Sequence, residues 1–355
     1  MMRGFSLIDP PAGFILDHEK ILLKPNLLNA SRPERAVTTH PSVFGATARL
    51  VSNFTKNIGF GDSPAVANPR KAAQNSGIME IASALGVVYR DFSDGRFVQA
   101  QKESTVRRFF IAEPVLQCDG LISICKMKTH SFTTITGAIK NQFGCIPGLK
   151  KAEFHAKLSD PIAFSRMLVD LTRLIRPRLC VMDAITAMEG DGPGGGIAFA
   201  MNALLVSFDP FALDRVAATM MNIDPKSVPM IKCAAEQGLG REEKTQVVGD
   251  PLESFQVGNF KPAAVTSGES HRFLARIMRR YGMNKPVVNH VRCITCGQCH
   301  TICPVSPKAM EWPDKQKPPK VAYARCIRCF CCQETCPEAA IDIKSPIIAR
   351  LLHIN

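Results

Sequence analysis

The chain has 355 residues, 46% of them hydrophobic and 21% charged, a balance that excludes wholesale disorder and gives length enough for two or more folding units. No window approaches the unbroken apolar run of a transmembrane helix. The opening MMRGFSLIDPPAGF carries neither an apolar signal core nor twin arginines, so a cytoplasmic protein with no transmembrane segment is expected. The formal charge of +13 is spread along the chain apart from Arg272, Arg276, Arg279 and Arg280, which favours anionic ligands or a protein partner over nucleic acid.

From residue 1 to 265, short β-rich runs alternate with helical patterns. This predicts an α/β fold, a mostly parallel sheet with flanking helices. Strands are expected at Lys20–Leu23, Asn57–Phe60, Val87–Arg90, Val106–Ile111, Leu121–Cys125, Leu179–Met182 and Ala203–Phe208. Helices are expected at Arg70–Leu85, Pro210–Asn222 and Ser227–Gln237, and most clearly after Asp160-Pro161, an N-cap and N1 pair, ending ahead of Pro177. Residues 266–285 read as a linker with a basic amphipathic pattern over His271–Tyr281, and 286–355 as a small α+β domain. The apolar tail Ile347–Leu352 reads as core packing.

Several apolar runs end abruptly in polar residues: Lys24-Pro25-Asn26, Asp62, Lys126 to His130, Asp183 and Asp209. Open α/β sheets bind ligands beyond the carboxyl ends of their strands, so these endings predict a polar, cation-rich pocket. Lys126, Lys128 and His130 alternate and so point one way. The stretch Gly137–His155 reads as a glycine-punctuated loop carrying Lys140, Asn141, Lys150, Lys151 and His155, and a second glycine-rich loop holds Glu189 and Asp191. Neither is a Walker A or dinucleotide fingerprint, which leaves ATP and NAD without support. In this reading Lys24, Asn26, Lys126, Lys128, Lys140 and Asn141 hold an anionic substrate. His130 or His155 supplies protons, and Asp62, Glu189 and Asp191 orient those groups or bind a divalent metal. The bland alternative for each is an exposed strand end or a structural histidine, as expected for His40.

Nine of the 14 cysteines fall between Cys293 and Cys336. Two runs share the spacing C-x2-C-x2-C-x3-C-P, the two-cluster ferredoxin pattern, in which the fourth cysteine of each run ligates the other cluster. One [4Fe–4S] cluster is then assigned to Cys293, Cys296, Cys299 and Cys336, the other to Cys326, Cys329, Cys332 and Cys303. Zinc also favours four cysteines, but two complete runs with prolines in register fit iron–sulfur better. Cys331 has no ligand slot.

The segments LLKPNLL, THPSV, GFGDSP, KMKTH, GAIKNQFGCIPGLKKAEFH, MDAITAMEGDGP and SFDPFALD, in that order, resemble the domain-of-unknown-function 362 family. CIRCFCCQETCP is similar to the ferredoxin domain often fused to its C-terminus. The resemblance implies architecture more than reaction. Two functions stay open: a ferredoxin-linked oxidoreductase acting on an anionic substrate with a redox partner protein, or a non-catalytic electron carrier that docks a partner enzyme.

Overall fold

Strands β1 (Ile21–Pro25), β2 (Ile58–Phe60), β3 (Val88–Tyr89), β4 (Gly95–Gln99), β5 (Arg108–Ala112), β6 (Gly120–His130), β7 (Thr134–Thr136), β8 (Leu179–Glu189) and β9 (Ile197–Ser207) follow in chain order in the computed structural model, which describes residues 1–255, 258–263 and 284–344. Seven of them form one sheet in the order β3-β2-β1-β6-β8-β9, with β7 paired to β6. Neighbours from β3 to β8 run parallel, while β7 and β9 are antiparallel. This is the mostly parallel α/β architecture that the sequence implies.

Side-chain alternation decides the layering. On β6 and β8, Ile122, Ile124, Leu179 and Val181 enter one core, and Cys125, Met127, Cys180 and Met182 enter the other. Helix Pro41–Val51 covers the first face with Val43, Phe44 and Leu50; helices Pro161–Ile175 and Pro210–Met220 cover the second. Asp160 caps the long helix by accepting from Ala163 N at 2.8 Å, and Arg176 ends it in the left-handed region ahead of Pro177.

Three expectations need correction. The predicted Arg70–Leu85 helix is broken into Pro69–Asn75 and Ile78–Ala84 at Gly77, whose φ of +74° leaves the helix. The strand expected at Val106–Ile111 exists as β5, but it pairs only with β4 in a separate hairpin. β4 escapes the sequence reading because its side chains are mostly exposed. Finally, β6 and β8 run on through the polar residues, because β7 and β9 continue to pair with them there.

Strand order reverses between β1 and β6: the chain builds outward to β3, then returns to the other side of β1. The crevice at such a switch point is where doubly wound sheets bind ligands. A second unit contains β10 (Lys285–Val288), β11 (Met310–Glu311), β12 (Lys320–Val321) and β13 (Ile341–Lys344), paired β10–β13 and β11–β12, with short helices Gln298–Ile302 and Cys331–Thr335. The His271–Tyr281 pattern and the Ile347–Leu352 tail lie outside the described residues, as does most of the expected linker. No helix among the described residues is long and apolar enough to cross a membrane.

Candidate functional site

The switch-point crevice holds a partly open cavity of about 80 Å³, room for several waters or a small ion. From β1 and its exit come Asn26 and Leu27; from beyond β2, Asp62; from β6, Lys126, Lys128 and His130. The segment read as a loop is instead helical at Ala138–Asn141 and Lys150–Lys157 and contributes Lys140, Asn141, Lys151 and His155. Asp214 explains the first of these helices: its buried carboxylate accepts from Ala138 N at 2.6 Å and Ile139 N at 3.0 Å.

Two lysines are neutralised. Lys24 Nζ lies 2.8 Å from Asp62 Oδ1 and donates to Asn141 Oδ1 at 3.1 Å. Lys126 Nζ lies 2.7 Å from Asp183 Oδ2, because parallel pairing sets Lys126 on β6 opposite Asp183 on β8. Lys128 has uncharged partners only, Asn26 Oδ1 and Val37 O, both at 2.7 Å. Burial, with Lys126 and Lys140 nearby, pulls its pKa down to about 7. Lys151 donates to Ile146 O and is likewise lowered by burial to about 7. Lys140 stands 5.2 Å from the ring centroid of Phe143.

His130 Nδ1 accepts from Phe132 N at 3.0 Å and Thr133 N at 3.3 Å, so its neutral ring carries the proton on Nε2. Nε2 stands 3.0 Å from Glu334 Oε1, yet off the N–H direction, so neither buried atom completes a hydrogen bond. Burial works to raise the Glu334 pKa, but Lys140 and His130 outweigh it and hold the carboxylate ionised below its usual range. His155 is stacked on Phe164 at 4.3 Å, with Nδ1 unpartnered, and burial lowers its pKa from 6.5 to about 3. The ring is therefore neutral near pH 7 and offers a hydrogen bond there rather than an imidazolium proton.

A stability consequence follows from that shift. An unfolded chain takes up the His155 proton near 6.5 and the folded one near 3, so this contribution is whole above about 6.5 and is lost as pH falls between those values. His155→Phe should move the acid-unfolding midpoint to lower pH by circular dichroism. An unchanged midpoint would mean that the ring titrates as it does in water.

The structure brings together Lys24, Asn26, Asp62, Lys126, Lys128, His130, Lys140, Asn141 and His155 of the sequence-derived set. It does not bring in Glu189 and Asp191. Glu189 accepts from Lys261 N at 2.9 Å, outside the second unit, while Asp191 O accepts from Gln333 Nε2 of the second unit at 2.6 Å. No divalent site therefore forms from Asp62, Glu189 and Asp191. Asp209 caps the Pro210–Met220 helix, and His40 caps Pro41–Val51 as its structural alternative requires. Sequence reasoning placed Lys151 on the loop but could not separate it from exposed Lys150 and left it out of the site; it missed Glu334, which lies inside a cysteine motif and gives no separate signal.

Among the described residues, no three His, Cys, Asp or Glu side chains are disposed around a single metal ion. The eight motif cysteines stand instead around two further cavities. One is lined by Cys293, Cys296, Cys299 and Cys336, the other by Cys303, Cys326, Cys329 and Cys332 together with Cys331, which also reaches the switch-point cavity. Thr295 and Arg328, and likewise Gly297 and Phe330, take positive φ at matching places in the two runs, so the loops repeat one conformation. Thiol donors in sets of four around enclosed space fit iron–sulfur clusters, with one ligand of each set drawn from the other run.

The sequence profile described as Domain of unknown function (DUF362) matches residues 21–219. A relative, "Thylakoid-associated protein sll1697" of Synechocystis sp., is 35% identical over 251 residues, covering 70% of this chain and 77% of that protein. Among solved structures, the lactate racemase apoprotein from Thermoanaerobacterium thermosaccharolyticum aligns with a TM-score of 0.39 and 11% identity, covering 58% of this chain and 50% of its own. This chain thus spans about half the length of that structure, a likeness that carries no functional argument. By the profile match and the Synechocystis relative together, the chain belongs to the DUF362 family.

Proposed function

We propose that the chain is an iron–sulfur oxidoreductase whose C-terminal unit is a two-cluster ferredoxin-like domain, exchanging electrons with a small anionic substrate in the switch-point cavity. One observation carries the reading: helix Cys331–Thr335 contains a motif cysteine, Cys332, and also walls that cavity through Cys331, Glu334 and Thr335. Bound clusters on the eight cysteines would supply single electrons at low potential. The lysines hold the anion. His130 keeps a proton on Nε2 at the cavity wall, and the second unit closes the site against water. Cys296 is exposed, which suits delivery of electrons by a protein partner at the opposite cluster. The same exposure favours the second reading, a carrier that docks a partner enzyme and leaves the cavity without a substrate. Free thiols in this number suit a reducing cytoplasm.

Anaerobically purified protein should carry about eight iron atoms and as many acid-labile sulfides per chain. Cys293→Ser and Cys326→Ser should each remove about half of them or destabilise the unit, while Cys331→Ser should keep them. Zinc without sulfide would overturn the assignment.

A further inference from the structure

Which lysines are free to meet a ligand decides what the ligand is. Lys24 and Lys126 already face Asp62 and Asp183. Among the described residues, no carboxylate lies within ion-pair distance of Lys128, Lys140 or Lys151, and Lys128 and Lys151 are only 1% and 6% exposed. The cavity wall carries two carboxylates, Asp62, which Lys24 neutralises, and Glu334, so only Glu334 is left to set against these three lysines. Buried cations without counter-charge are costly, and such a cost is kept where a ligand supplies the missing charge. A separate observation points the same way: His155 Nδ1 and His130 Nε2 are buried at the cavity without a completed hydrogen bond.

We propose that the cavity binds a small dianion, a dicarboxylate or a tetrahedral oxyanion, held by Lys128, Lys140 and Lys151 and hydrogen-bonded by His130 and His155. The inference rests on the cavity being the substrate site and names the substrate's charge class. The cavity, about 80 Å³, suits a small ion of this kind. Lys128 faces Lys126, Lys140, Glu334 and Asp62, and Lys151 faces Asp62, Lys24, Cys145 and Lys140. A dianion beside these two lysines raises their pKa from about 7, so it binds with proton uptake and its affinity falls as pH rises above that value.

The test is titration calorimetry on the full chain, purified anaerobically, with sulfate and malonate against acetate at about pH 6.5 and 8.5. Both dianions should bind at least about tenfold tighter than acetate, and sulfate, whose charge is constant over this range, should weaken about tenfold or more at the higher pH. Lys128→Met and Lys151→Met should each weaken sulfate about tenfold, the loss of a hydrogen bond to a charged partner, while exposed Lys56→Met should not. Acetate binding as tightly as the dianions, or sulfate affinity indifferent to pH, overturns the inference. Should both buried-lysine variants fail to fold, the wild-type pH series still decides. Iron and sulfide measured on the same sample separate the two readings. Dianion binding by iron-free protein removes electron transfer alone, and iron-loaded protein that ignores both dianions removes the dianion alone.

Discussion

Asp183→Ala should cost about 3–5 kcal/mol of folding stability, the usual loss when one member of a buried ion pair is removed and the other charge is left behind. Asp183 and Lys126 have side chains 0% and 1% exposed and stand 2.7 Å apart. The carboxylate also accepts from His40 N at 2.8 Å, so alanine frees a backbone donor as well as an ammonium. Asp183→Asn keeps that acceptor and should lose less. The double variant Lys126→Met/Asp183→Leu removes both charges and should recover most of the loss. Urea unfolding curves measure all three. A cost below about 1 kcal/mol for Asp183→Ala would mean that the pair contributes nothing.

Gly144→Ala should be nearly as damaging, at about 3 kcal/mol, and for the same reason at one remove. A Cβ at residue 144 would stand 2.0 Å from Asp62 Oδ1 and 2.6 Å from Lys24 Nζ, distances no real side chain tolerates. The Lys24–Asp62 pair must separate, which exposes two buried ions to a low-dielectric wall without each other. Sulfate affinity should fall along with stability, since Asp62 lines the cavity and Asn141 is bonded to Lys24. Gly258→Ala, where an added Cβ meets nothing within 4 Å, is the control and should be neutral. A neutral Gly144→Ala would mean that the pair is looser than its 2.8 Å separation implies.

The parts of this architecture that repeat locally were legible in the sequence. Short β-rich apolar runs marked the central strands, Asp160-Pro161 marked the start of the longest helix, and the cysteine spacing marked two sets of four that stand around two cavities. Lys126, Lys128 and His130 were readable because alternation on one strand fixes a common side without any knowledge of neighbours. What joins distant segments was not readable. Lys150 and Lys151 are the same residue type side by side, and only the fold makes one exposed and turns the other inward to donate to Ile146 O. Glu334 reaches His130 across 204 positions of chain, a contact no local pattern encodes. Glu189 and Asp191 misled for the opposite reason: a glycine-rich loop at a strand end resembles a ligand loop, and here Glu189 holds Lys261 N while the backbone of Asp191 holds Gln333 of the second unit.

The wall shared between the two units makes the cavity a latch. Gln333 grips the backbone of Asp191, Glu334 meets His130, and Ile302 packs beside Ala152, so a ligand seated behind that wall is held in place by both halves of the chain. Linkage makes the relation mutual: whatever the latch adds to ligand affinity, the ligand adds to the docking of the two halves. On the proposed reading, losing the clusters from the cysteine-rich half would weaken that docking and with it the hold on the ligand, although every lysine stays in place.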